Sequence, residues 1–391
     1  MTIFLSHKIR LDPKSWQEDY FRRACGVARF TYNWALEKGE ELYARGEWPN
    51  GRKLRTLFNS IRWKEFPWTG EVAKDCSGQA FINLQTAYTN YFKGYAKRPV
   101  FKKRGKRDSF YIANDKFSIR GKRVRIPKLG EVKMREHLRW VGKIMGATVS
   151  RTADEWYISF RIEMPDFTRP RTGEGRVGVD LGIKTSVKLS TGESIEGPKA
   201  YKASIEKERR LSRRLSRKQK GSKNQEKAKV RLARARARTA RIRADFLHKL
   251  TSRLCSENQA IGIEDLNVAG MLKNHKLARA IQDEGWGEFR RQLTYKAPLW
   301  GTELVVKDRF FASSKLCSWC GYKNNALTLK DRFWVCPDCG TEHDRDFNAS
   351  INLIPGVNRE STPVEMGALA GQVVCPVKLP SVKQEFQVCD E

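Results

Sequence analysis

The chain has 391 residues, 40% of them hydrophobic, and sets 76 Lys+Arg against 44 Asp+Glu for a formal net charge of +32. That length accommodates two or three domains with cores of their own, and that charge points to a polyanionic partner, nucleic acid or an anionic membrane surface. No uninterrupted apolar stretch is long enough to span a bilayer, and the opening MTIFLSHKIR lacks the apolar core of a signal peptide, so the expectation is a cytoplasmic protein that binds nucleic acid and no membrane.

In chain order, TIFLSHKIRL predicts a strand and Asp12-Pro13 the start of a helix. Trp16, Tyr20, Ala24, Val27, Thr31 and Trp34 recur at three- and four-residue steps, which is one helical face. Phe81, Leu84, Tyr88 and Tyr91 mark a second helical stretch, so residues 14–94 predict a helical module. From Lys97 the pattern alternates, through SFYI, FSIRGKRVRIP, GATVSR and EWYISFRIEM, with Gly121 placed for a hairpin turn. These runs predict a small β-barrel from residues 1–13 and 95–170, with the helical module inserted after its first strand. The basic run KRPVFKKRGKR (97–107), with Phe101, Phe110 and Tyr111 interleaved, reads as a nucleic-acid groove, the alternative being a solvated surface.

Residues 177–195, VGVDLGIKTSVKLSTGESI, read as strand, turn, strand, with Asp180 flanked by apolar strand residues. A carboxylate in such a setting is costly to bury unless a cation offsets it. Residues 201–250 then carry 19 Lys+Arg and 4 Asp+Glu. Leu211 and Leu215 mark one seam and Leu232, Ala235, Thr239, Ile242, Phe246, Leu250 and Leu254 another, with KQKGSKN (218–224) between them. The reading is a hairpin of two long helices over 201–254. Charge so nearly of one sign is best relieved by phosphates, and Arg213, Arg214 and Arg217 are the candidate contacts.

AIGIEDLN (260–267) repeats the earlier theme, with Ile261 and Ile263 before Glu264 and Asp265 beside it. Cys317-x2-Cys320, fifteen residues, then Cys336-x2-Cys339 is a strong four-thiolate pattern, with Gly321 and Gly340 giving each pair a tight turn. Four sulfurs fill a tetrahedral zinc and leave no open position, so the role is structural; iron takes the same ligand set. Cys25, Cys76, Cys255, Cys375 and Cys389 have no partner spacing and read as ordinary thiols. After the second pair comes HDRD, with Asp344 and Asp346, and an apparent helix NASINL beginning at Asn348. Asp180, Glu264 and Asp346, at two strand ends and a helix start, form the acid set that a Mg²⁺ site requires, and two such ions serve phosphodiester cleavage. Asp346 is preferred to Asp344 because Asp344 belongs to the turn leaving the cysteine segment. From Pro355 onward the periodicity is weak, and a flexible tail is expected over 355–391.

GVDLGIKTS, IGIEDLNVAGM, WGEFRRQLTYKA, DRFFASSKLCSWCG and CPDCGTEHDRDFNASIN occur in an order that, over most of the chain, resembles the TnpB (OrfB) family of insertion sequences, relatives of type V CRISPR effectors. The resemblance implies an α+β multidomain protein. Its RNase H-like (RuvC) nuclease domain would span 171–314 and 345–354, interrupted by a zinc ribbon at 315–344. An N-terminal β-barrel (wedge) would carry a helical recognition insert. It implies an RNA-guided DNA endonuclease with Asp180, Glu264 and Asp346 as catalytic acids, one structural Zn²⁺, and guide RNA and target double-stranded DNA as partners; the oligomeric state stays open, a monomer being favoured. It also implies that the segment DCSGQAFINLQ (75–85) helps read a short DNA motif, with Lys74, Ser77 and Gln79 as candidates. Two other functions use the same parts: an RNA-guided binder that does not cut, and a transposase acting on the ends of its own element. An intact acid set weighs against the first, and the cysteine insert against the second.

Overall fold

The computed structural model describes residues 3–47, 50–165, 167–328 and 330–356. Apart from Pro355 and Gly356, the expected tail lies outside the described residues. Contacts divide the chain into two compact units, residues 1–167 with 206–238, and residues 168–205 with 239–391. No described helix is long and apolar enough to cross a membrane.

The first unit opens with β1 (Ile3–Asp12), followed by α1 (Ser15–Ala44), α2 (Gly51–Glu65) and α3 (Asp75–Phe92). Then come β2 (Ser109–Ala113), β3 (Ser118–Arg120), β4 (Arg123–Ile126), β5 (Gly130–Met134), β6 (Lys143–Thr152) and β7 (Glu155–Met164). The strands form one antiparallel sheet in the order β2-β6-β7-β1-β5-β4-β3. Gly121 turns the β3–β4 hairpin at φ +56°, a left-handed conformation that suits glycine. Alternate residues face one core: Ile9 and Leu11 of β1, Val124 of β4, Met134 of β5, and Trp156, Ile158 and Phe160 of β7. Strands from both ends of the sheet order share that core, because α1 packs into it: the Phe21 ring lies 5.0 Å from Trp156 and 5.8 Å from Phe110.

The expected face of α1 is buried from Tyr20 onward, but Trp16 is 54% exposed. Gln17 is buried instead, because its amide can satisfy the Glu131 carbonyl (2.8 Å) and the Lys14 N–H (2.9 Å). A second core lies among the helices, with Trp34, Leu54, Phe58, Phe81 and Leu84, the Phe58 ring 5.0 Å from Trp34 and 5.7 Å from Phe81.

The second unit contains β8 (Gly175–Leu181), β9 (Val187–Leu189), β10 (Ser194–Ile195), α4 (Ala200–Ser216), α5 (Lys223–Glu257) and β11 (Asn258–Glu264). α6 (Val268–Met271), α7 (Ala278–Glu284), α8 (Trp286–Trp300), β12 (Glu303–Lys307), β13 (Phe333–Val335), β14 (Glu342–Asp344) and α9 (Arg345–Asn352) complete it. The helical hairpin expected over 201–254 is α4 and α5. Its residues 206–238 group with the first unit, where Arg234 binds the Asp154 carboxylate (Nε, 2.9 Å), although the sequence reading gave the whole hairpin to the nuclease domain. The seam along α5 also shifts: Leu232, Thr239, Leu247, Leu250 and Leu254 are buried, while Ile242 is 42% exposed.

The sheet of this unit runs β10-β9-β8-β11-β12, with β11 parallel to both β8 and β12 and β9 antiparallel to β8. Parallel strands covered on both faces read as apolar runs, as Val177, Val179, Ile261 and Ile263 do. Gly178 and Gly262 are direct cross-strand partners, and α9 runs into the chain's close approach there. A Cβ on Gly178 would stand 1.8 Å from the Ser350 carbonyl oxygen, and one on Gly262 1.8 Å from that of Leu353. Gly178→Ala must therefore push α9 off the sheet. It is expected to cost about 1–3 kcal/mol, read as a lowered thermal midpoint, whereas Gly287→Ala, whose Cβ meets nothing within 4 Å, should not lower it.

Candidate active site and metal centre

Asp180 and Glu264 stand at the carboxyl ends of neighbouring parallel strands, the register Ile263↔Val179 setting them side by side. Strand ends of this kind are where open α/β sheets place ligands. The helix expected from Asn348 begins three residues earlier, at Arg345, so Asp346 lies in the first turn of α9 rather than before it. Asp344 is the last residue of β14, not part of a turn, and its carboxylate caps α9 by accepting from the Phe347 N–H at 2.8 Å. Asp265, next to Glu264, is held by Arg290 and by Arg309 (2.7 Å). Two of the five nearby acids are thus spent on local structure.

Among the remaining three, Asp180 feels the charge of the other two. Burial raises the Asp180 carboxyl to about 8, and the negative charges of Glu264 and Asp346 add to the shift, with Arg345 opposing it. Burial also raises Glu264, against a hydrogen bond donated by the Ser313 hydroxyl and the charge of Arg345. Asp346 accepts from Nη1 of Arg332 through both oxygens, at 3.0 and 2.8 Å. These carboxylates do not converge as tightly as the sulfurs described next, the only set of three or more metal-ligating groups among the described residues within 4.8 Å of one another. The charges of Glu264 and Asp346 at Asp180 are of the kind that a divalent cation would offset.

Cys317, Cys320, Cys336 and Cys339 bring four sulfurs within 4.8 Å of one another, positioned to hold one metal ion. The two knuckles match: Cys317 N–H donates to Tyr322 O and Gly321 N–H to Cys317 O, as Cys336 N–H does to Thr341 O and Gly340 N–H to Cys336 O. Gly321 and Gly340 sit at φ +80° and +70°. Sequence reasoning missed His343, whose Nε2 lies 3.0 Å from the Cys317 sulfur and whose ring packs on Trp334, paired with it across β13 and β14. Its signal was a histidine four residues after the last cysteine.

Also missed were Asn348 and Asn352, one turn apart on α9 and almost fully buried. Asn348 accepts from Ser318 N–H (2.8 Å) and donates to Leu316 O (2.7 Å), while Asn352 donates to Leu316 O (2.7 Å) and Ser313 O (2.8 Å). The helix that carries Asp346 therefore grips the strand of chain entering the cysteine segment.

The candidate nucleic-acid contacts divide. Arg213, Arg214 and Arg217 are exposed and make no ion pair among the described residues. Lys74 is exposed before α3. Gln79 is half-buried and donates to Asn83 at 3.2 Å. Ser77 is a correction: it is 4% exposed, and its hydroxyl donates to the Lys74 carbonyl at 2.9 Å, because the start of α3 turns it inward.

Folded Asp180 keeps its proton up to about pH 8, whereas an unfolded aspartate loses it near 3.8. Between those values the folded chain binds more protons, so stability falls as pH rises through the window and the whole penalty is present above it. With no magnesium added, Asp180→Asn should match the parent near about pH 4 and melt progressively higher than the parent towards pH 8. Elemental analysis should also find one thiolate-held metal ion per chain, and Cys336→Ser should lose it.

Three family profiles match the chain: OrfB_IS605, probable transposase, over residues 159–275; Cas12f1-like, TNB domain, over 286–353; and a helix-turn-helix domain, HTH_OrfB_IS605, over 1–47. The last segment is here a strand and one long helix, β1 and α1. A Streptomyces pristinaespiralis protein named "Putative RNA-guided DNA endonuclease" is 40% identical over 355 residues, covering 89% of this chain and 88% of its own. Escherichia coli K12 has "Putative RNA-guided DNA endonuclease InsQ", 33% identical over 370 residues, covering 89% and 90%. In fold the chain is similar to Cas12f1 from a Cas12f1–sgRNA–target DNA complex, with a TM-score of 0.58 at 13% identity over 90% of this chain and 98% of that one.

Proposed function

We propose that this chain, which belongs to the TnpB (OrfB) family of transposon-encoded RNA-guided nucleases, is an endonuclease that cuts target DNA under the direction of a guide RNA. The observation that carries the proposal is the coupling of Asp180, Glu264 and Asp346 at one end of a parallel sheet, with Asp265 and Asp344 committed elsewhere. In this reading residues 171–314, apart from the hairpin residues 206–238 that group with the first unit, and 345–354 form the RuvC-like nuclease domain, with a zinc ribbon at 315–344. Residues 1–13 and 95–170 form the wedge barrel, and 14–94 the recognition helices.

Asp180, Glu264 and Asp346 would hold magnesium, two ions by preference, which when bound supplies Lewis-acid stabilisation and an activated water for phosphodiester hydrolysis. The chain's own groups prepare that site. Ser313 orients Glu264, Arg345 tempers the negative charge, and the Asp344 cap fixes the first turn of α9 and so the direction of Asp346. Zinc suits the four thiolates, which leave it no open position, so it would shape the ribbon and take no part in cleavage. The exposed arginines 213, 214 and 217 would meet RNA or heteroduplex phosphates, and pairing with the guide would read sequence. The protein would act in the prokaryotic cytoplasm.

The description "probable transposase" names a second reading, in which the same acids cut the element's own ends without a guide. RNA that copurifies with the chain separates the two. A discrete RNA whose replaced guide segment redirects cleavage supports guided cutting, and cleavage indifferent to RNA refutes it. Asp346→Ala should bind guide and target yet lose cleavage in the manner of Asp180→Ala. Asp344→Ala, which removes only a helix cap worth roughly 0.5–2 kcal/mol, should still cut. The reverse pattern would move the third ligand to Asp344.

A further inference from the structure

We propose that His343 is a positioning residue of the metal centre. Its Nε2–H donates to the Cys317 sulfur, and that bond ties the metal held by the cysteines to the placement of Asp346, a coupling that rests on the nuclease reading above. The nitrogen stands 3.0 Å from the sulfur, and both residues are buried, Cys317 completely and His343 to all but 7%.

A histidine against a metal-binding sulfur is a ligand, a packing residue or a hydrogen-bond donor. Four thiolates already fill a tetrahedral ion. Among the described residues, His343 does not join the group of metal-ligating atoms that lie within 4.8 Å of one another. It therefore stands outside the ligand set. Packing accounts for one face of the ring, whose centre lies 4.6 Å from that of Trp334, its cross-strand partner. It does not account for the ring nitrogen beside sulfur, since a buried polar atom is costly unless it is hydrogen-bonded and an apolar ring would fill the same space.

The surroundings of the sulfur point the same way. Cys317 Sγ also accepts from the backbone N–H of Trp319 at 3.4 Å and of Cys320 at 3.5 Å. Three N–H groups converge on one sulfur, an arrangement that suits a thiolate far better than a thiol with a proton of its own. A sulfur that holds a metal carries no proton, so the bond runs from nitrogen to sulfur and fixes the imidazole proton on Nε2. Outer partners of this kind orient a ligand and strengthen its hold on the metal.

His343 is also placed to pass on the state of the centre. It precedes Asp344, whose carboxylate caps α9, and the first turn of α9 carries Asp346. The neighbouring ladder is continuous. Trp334 pairs with His343 and Phe333 with Asp344, the Arg345 N–H donates to the Arg332 carbonyl at 2.8 Å, and Arg332 Nη1 holds Asp346. Cys317 meets α9 by a second route, because Asn348 bonds the main chain of Leu316 and Ser318 on either side of it. One cysteine is thus joined to the helix through its backbone and through its sulfur. The backbone link is the same whether or not a metal is bound, whereas the sulfur link depends on it. Loss of the metal removes the thiolate acceptor, loosens His343 and frees the strand that leads to Asp346. The acids then assemble only in a chain whose cysteine centre is loaded.

Two substitutions separate the bond from the packing. His343→Phe keeps a ring on Trp334 and has no N–H, while His343→Gln keeps an N–H at similar reach and has no ring. In the full chain, His343→Phe should release its thiolate-held zinc to a chromogenic chelator at least about tenfold faster than the parent, and His343→Gln should stay near the parent. With Co²⁺ in place of zinc, the sulfur-to-metal charge-transfer band should move to lower energy in His343→Phe, because a sulfur that loses a hydrogen bond gives up charge more readily. Mn²⁺ binding at the acids, followed by electron paramagnetic resonance, should weaken in the parent once zinc has been stripped and the chelator removed. It should weaken in His343→Phe while zinc is still bound. An unchanged release rate and cobalt band in His343→Phe, or a greater loss in His343→Gln, would overturn the hydrogen bond. Mn²⁺ binding indifferent to both stripping and substitution would overturn the coupling. A parent that binds no Mn²⁺ and cuts no guided target sinks the nuclease reading instead, and the release rates and cobalt band still decide the bond.

Discussion

The candidate site hangs on one steric contact, the backbone of α9 lying against paired glycines in β8 and β11. Any other residue at Gly178 or Gly262 would put a side chain where a helix carbonyl now lies. Glycine in a strand forfeits roughly 0.5–1 kcal/mol relative to alanine, and here the sheet accepts that twice in adjacent registers. In return, a helix from the far end of the chain lies close enough for its first turn to reach Asp180 and Glu264. The same helix carries the caps and amides that hold the chain on either side of the cysteines. Sheet, acids and cysteine segment meet at a single element of eight residues.

Electrostatics at the site runs against stability. Three acids are brought together with Arg345 and Arg332 as their nearest offsets, and Asp180 is pushed far from its ordinary range. A fold selected for stability alone would place an amide or an apolar residue at position 180. Asp265 differs, since Arg290 and Arg309 hold its carboxyl below the usual range, while Asp344 accepts from the Phe347 N–H and Asp346 is itself paired with Arg332. Asp180 and Glu264, both raised by burial, are the acids the fold leaves least at ease, which marks them as candidates for function better than position in the sequence does.

Much of this was legible beforehand. Asp180 and Glu264 stood out because apolar strand residues precede each, and a parallel strand covered on both faces needs such a run. The cysteine spacing predicted a cluster because tight turns and ligand geometry are local. What depends on distant partners was not legible. Trp16 and Gln17 exchange roles because the Glu131 carbonyl, more than a hundred residues away, needs a donor. Ser77 turns inward at the start of α3 for a local carbonyl. The start of α9 was misplaced because the capping role of Asp344 looks, in sequence, like one more acid of a cluster. Asn348 and Asn352 resembled ordinary helix-surface residues until the chain they grip was in view.

The grip of those two asparagines has a consequence for how the chain could change over time. Leu316 and the start of α9 are held as neighbours, so everything between them is a closed excursion whose ends do not move. Lengthening such an excursion costs little, about 0.6 kcal/mol for each doubling. The cysteine segment is thus an insert whose length can vary. A longer or shorter insert could be grafted across the same two anchor points, provided that Arg332 and Asp344 within it, which hold Asp346 and the first turn of α9, keep their partners.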